Sequence, residues 1–151
     1  MSRLSSLPAA AALLGAAVLA CAAPGPVPIV LGERDCAHCH MIIADARFAA
    51  ELVTRTGKVY LFDDPGCLAN FRVNGPVQPD QVQAAWVSDF RLPGTLIPVQ
   101  DAIFLRTQAV QSPMASNLLA VPRAMGDSLQ AALGGTLLDW VQVLAEASAP
   151  T

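Results

Sequence analysis

Short apolar runs broken by turn-forming residues fill the middle of the chain. Phe48 to Val53 and Val59-Tyr60-Leu61-Phe62 flank Thr54-Arg55-Thr56-Gly57-Lys58, which predicts two strands joined by a glycine-containing turn. Asp64 then stands as a helix N-cap with Pro65 at the first helical position, so Cys67-Leu68-Ala69-Asn70-Phe71 should open a helix that stops near Asn74-Gly75-Pro76. Trp86-Val87-Ser88-Asp89-Phe90 alternates apolar and polar positions, as a half-buried strand does. The second half repeats the theme, with strands expected at Ala102-Ile103-Phe104-Leu105 and Asn117-Leu118-Leu119-Ala120-Val121. A helix from Ala124 to Leu133 follows, closed by Gly134-Gly135. Thr136-Leu137-Leu138-Asp139 is expected to cap a last helix over Leu137 to Glu146. The predicted fold class is α+β, with two small, related strand–strand–helix units packed together.

The first 32 residues follow a different pattern. A short basic start, Met1-Ser2-Arg3, leads into an apolar run from Leu7 to Ala20 that is too short to span a bilayer, which marks a secretory signal over residues 1–20. Val18-Leu19-Ala20-Cys21 resembles a bacterial lipoprotein cleavage box, in which Cys21 becomes the acylated first residue. Residues 21–32, rich in proline, are then a flexible tether. Acyl chains on Cys21 would hold the protein at a membrane, each buried methylene contributing about 0.8 kcal/mol. The body of the chain divides into residues 33–135, with repeats near 33–78 and 79–135, and a C-terminal helix and tail over 136–151.

Composition narrows the function. With a net charge of −3 and only 9 Lys and Arg, the latter scattered singly, the chain is a poor match for nucleic acid. No Ser/His/Asp constellation appears, Asp63-Asp64 are read as a helix cap, and neither an enzymatic activity nor a small-molecule substrate is expected. Cys36, Cys39 and Cys67 are an odd number of cysteines in an exported chain, so at least one is a free thiol or a ligand.

The chemistry concentrates in Cys36-Ala37-His38-Cys39-His40-Met41, where two thiols, two imidazoles and a thioether fall within six residues. Cu(I) favours such soft donors, and Met114, in the loop Gln111-Ser112-Pro113-Met114-Ala115-Ser116, is a second displayed thioether. Two alternatives stand beside copper. Cys36-Ala37-His38-Cys39-His40 matches the haem c attachment string, with His40 and Met114 as axial ligands. The thiols could also form a Cys36–Cys39 disulfide, or hold zinc with Cys67 and a histidine. Cys67 lies in a helical first turn, where the helix dipole would lower its pKa and favour thiolate. Met125, on the apolar side of a helix pattern, is expected to be packing.

Four motifs occur in order: Cys36-x-x-Cys39-x-Met41-Ile42-Ile43, Phe62-Asp63-Asp64-x-x-Cys67-Leu68, Trp86-Val87-x-Asp89-Phe90 and Ser112-Pro113-Met114-x-Ser116. From Asp35 to Val121 the chain resembles the NosL family, copper lipoproteins associated with assembly of nitrous-oxide reductase. The resemblance implies Cu(I) binding, a lipid anchor in the periplasm, and copper delivery to a client enzyme, with nitrous-oxide reductase the expected one. Cys39 and Met41 fall on the family's Cys-Gly-Met element and Met114 on its Pro-Met-Gly element, with Cys36, His40 and Cys67 as further candidate ligands. The chain departs from the pattern twice: His40 stands for the first glycine and Ala115 for the second.

Overall fold

A computed structural model describes residues 25–149. The signal and the acylated Cys21 expected at the N-terminus lie outside the described residues. Two antiparallel sheets carry the fold. The first joins β1 (Ala50–Thr54), β2 (Val59–Phe62), β3 (Val82–Ser88) and β4 (Leu96–Pro98) in the order β2-β1-β3-β4. The second joins β5 (Ala102–Arg106), β6 (Leu118–Pro122) and β7 (Thr136–Leu138) in the order β6-β5-β7. Each repeat thus places its first strand centrally between its second and third. Helix α1 (Pro65–Asn74) connects β2 to β3, and α2 (Gly126–Leu133) connects β6 to β7. The repeat is strand–strand–helix as expected, followed by two further strands in the first unit, β3 and β4, and by one in the second, β7.

The start of α1 follows its sequence signal: Asp64 is the N-cap, its side chain accepts the Gly66 N–H, and Pro65 opens the helix. The end of the chain differs. Thr136-Leu137-Leu138 is β7, paired with β5 through Phe104–Leu138, because an open edge of β5 takes those backbone groups. The cap of the last helix, α3 (Trp140–Ala147), is Asp139, reciprocated by Gln142.

The strand period of two divides the core. On β5 and β6, Ala102, Phe104, Leu118 and Ala120 join a large cluster with Leu52, Phe62, Leu68 and Phe71 of the first unit. Leu105, Leu119 and Val121 face a smaller cluster with Phe48 and Leu129 of α2. The large cluster runs through both units and makes them one packed body. Residues Ala85 to Ser88 of β3 are all buried, so the alternation there does not mark a solvated face. β1 is likewise buried along its length, covered beyond Glu51 by the N-terminal segment, whose Val27 N–H donates to both Glu51 carboxylate oxygens at 3.2 and 3.0 Å. Among the described residues no helix is long and apolar enough to cross a membrane.

Candidate metal centre

Three pieces of chain meet at one end of the first sheet. The loop over residues 35–42 folds back on itself: Asp35 bridges Ile42, the Cys36 N–H donates to the Met41 carbonyl at 2.8 Å, and the His40 N–H donates to the Cys36 carbonyl at 3.0 Å. The Ala37 N–H pins this loop to the Leu61 carbonyl of β2 at 2.8 Å. Asp63 follows the end of β2, and Cys67 lies in the first turn of α1. Cys36, Cys39 and Cys67 are free thiols, and together with one carboxylate oxygen of Asp63 their sulfurs all lie within 4.8 Å of one another. In a tetrahedral site with metal–sulfur bonds of about 2.3 Å, ligand atoms stand roughly 3.8 Å apart. The four donors therefore need to close by about 1 Å at most to hold an ion.

Protons on these groups are distributed unequally. The Cys36 thiol is lowered to about 6, first by the hydrogen bond from Cys67 and then by backbone N–H groups, against the opposing effect of burial. Cys67 is pushed upward because it donates to Cys36, is buried, and faces the negative charge of Cys36 and Asp63. Its helical position predicted the opposite shift. A first-turn dipole is outweighed here by a neighbouring thiolate and desolvation. Cys39 is raised to about 11, chiefly by burial, and its thiol donates to Asp63 at 3.4 and 3.5 Å. The result is an anionic pocket of one thiolate, one carboxylate and two thiols, which attracts a cation and releases protons on binding it.

The structure thus brings Cys36, Cys39 and Cys67 together. It places Asp63 where the zinc alternative had a histidine, with His38 and His40 both exposed to solvent. Asp63 was missed because Asp63-Asp64 was read as one helix cap. Only Asp64 caps, and the carboxylate left over, four residues before Cys67, was the available sign. Met41 and Met114 are the exposed donors, at 60% and 44% of their full accessibility. Met41 is tied to the cluster through the Cys36 N–H, and the Met114 N–H donates to Asp64, next to Asp63, at 3.3 Å.

His40 and Ala115, the two positions where the NosL pattern has glycine, adopt φ of 63° and 56°. Both are in the left-handed region that glycine enters freely. Asn117, at 55°, is the third such non-glycine residue among those described, and it lies three residues after Met114 in the same loop as Ala115.

No protein-family model matches the chain, and no curated protein matches it in sequence. Among solved structures it is similar to the crystal structure of the copper chaperone NosL from Shewanella denitrificans, with a TM-score of 0.65 at 21% identity, covering 79% of this chain and 96% of that one. At that identity the likeness concerns the backbone arrangement, and the chain has a NosL-like fold.

Proposed function

We propose that this chain is an exported Cu(I) carrier of the NosL family, held at a bacterial membrane through an acylated Cys21 and handing copper to a client copper enzyme. The observation that carries this is the packing of three thiols and a carboxylate, two of the thiols on the loop that exposes Met41, on a fold shared with a copper chaperone. The thiolates hold a soft monovalent ion, while exposed thioethers exchange ligands without a proton, which suits a protein that must release its metal. Cys39 is the one thiol of the cluster that is only partly buried, which makes it the sulfur most open to an incoming or departing ion. Nitrous-oxide reductase is the client favoured by the motif resemblance, and the proposed role is delivery rather than catalysis.

Zinc is the second candidate, because three cysteines and an aspartate also make a tetrahedral zinc set. Competition of the reduced, exported chain with a cuprous chelator, run beside a zinc titration, separates the two. One Cu(I) per chain, bound more tightly than zinc, is the expected result. Tighter zinc binding overturns the copper assignment, and a haem absorption band in the exported protein overturns both. Loss of membrane association in Cys21→Ser tests the anchor, and loss of nitrous-oxide reduction in cells lacking the chain tests the client.

A further inference from the structure

Asp63 and Asp64 are neighbours with opposite duties. Asp63 turns its carboxylate to the Cys39 thiol, whereas Asp64, fully buried, turns to a loop 50 residues further along the chain. One Asp64 oxygen accepts the Gly66 N–H at 2.6 Å and the Ser116 hydroxyl, and the other accepts the Met114 N–H at 3.3 Å. The contact is close enough that a Cβ on Gly66 would fall 2.5 Å from the Ser116 Cβ. Within the loop, Ser112 Oγ accepts the Asn117 N–H at 3.0 Å and meets Ser116 Oγ at 3.3 Å, so Ser116 is held from both sides. Helix capping requires only the bond to Gly66. The two bonds to the second repeat have no part in that.

We infer that Asp64, with Ser116, is a positioning residue that docks the Met114 loop beside the thiol cluster and makes Met114 a ligand of the same ion. The inference rests on the copper assignment above. Asp63 and Asp64 are successive residues, with Cα atoms 3.8 Å apart across a trans peptide. Anchoring the Met114 backbone on Asp64 therefore sets its thioether within side-chain reach of the ion that Asp63 and Cys39 face. Sequence distance is spanned here by two hydrogen bonds that one carboxylate accepts.

A double-mutant cycle on the full chain tests this. Asp64→Asn keeps a competent helix cap, and Ser116→Ala leaves the cap untouched. Each should weaken Cu(I) binding in chelator competition, Asp64→Asn by about 10- to 100-fold, the range for partners that orient a metal ligand. In a Met114→Ala background neither should weaken it further. With methyl-labelled methionine, Ag(I) should shift the Met114 resonance in the parent chain but not in Asp64→Asn, while the Met41 resonance still shifts. Losses that add to that of Met114→Ala, or a Met114 shift that survives Asp64→Asn, overturn the inference. A parent chain that takes up no Cu(I) overturns instead the copper assignment beneath it.

Discussion

Ala115→Gly should stabilise the protein, contrary to the usual effect of adding a glycine. Ala115 is exposed, so removing its methyl group forfeits no burial, and its φ of 56° crowds Cβ against the carbonyl oxygen. Relief of that crowding is worth about 1–2 kcal/mol. The greater freedom of glycine in the unfolded chain opposes it by about 0.4–1 kcal/mol. The net gain is about 0.5–1 kcal/mol, enough to move a urea midpoint by roughly 0.5 M at an m-value typical of small domains. The measurement is equilibrium urea unfolding of the reduced, metal-free chain, with the slope compared between parent and variant. An unchanged slope with a raised midpoint is expected. A midpoint that stays or falls would show that residue 115 is not in the left-handed region, and would remove the physical reason for glycine at this position of the NosL pattern. His40→Gly should act in the same direction but more weakly, since histidine tolerates this region better than alanine.

The stability of the metal-free chain should rise with pH from about 6 to about 9, because Cys36 ionises near 6 when folded against an ordinary value of 9.0. That contribution is complete above 9.0 and is lost as pH falls through 6. Cys39, raised to about 11, contributes below 9.0 and loses its share between 9.0 and 11, so stability should peak near pH 9. Chemical unfolding across this range checks it, and a rise that persists in Cys36→Ser would contradict it. Air oxidation should abolish copper uptake through a disulfide involving Cys36 and Cys39, with recovery on reduction, because only thiolates ligate the ion. Uptake indifferent to reductant would place those sulfurs away from the site. Met125→Ala should cost about 1–2 kcal/mol, less than truncation of a fully buried methionine, because Met125 is only partly buried against the smaller core cluster. Its copper affinity should match the parent's, and a larger copper defect than in Met114→Ala would mean the wrong methionine was chosen.

Local chemistry was legible in the sequence wherever a residue acts on its near neighbours. Asp64-Pro65 starts a helix in any context because cap and fixed φ operate within one turn, and Gly134-Gly135 ends one for the same reason. The hairpin of β1 and β2 likewise needs only its turn and its apolar runs. Tertiary contacts decided what those rules leave open. Thr136-Leu137-Leu138 became a strand because β5 offered it an unpaired edge, and Trp86 to Ser88 lost its solvated face to packing from both sides. The thiols were visible as a cluster from residues 36 to 41, but the fourth donor was not. Asp63 reads as half of a cap until the loop over residues 35–42, pinned to β2, lays Cys39 against it. Ionisation was decided at the same level. Helix position alone would make Cys67 the thiolate, yet the folded chain gives that charge to Cys36, because a hydrogen bond received in a buried site outweighs a dipole one turn long.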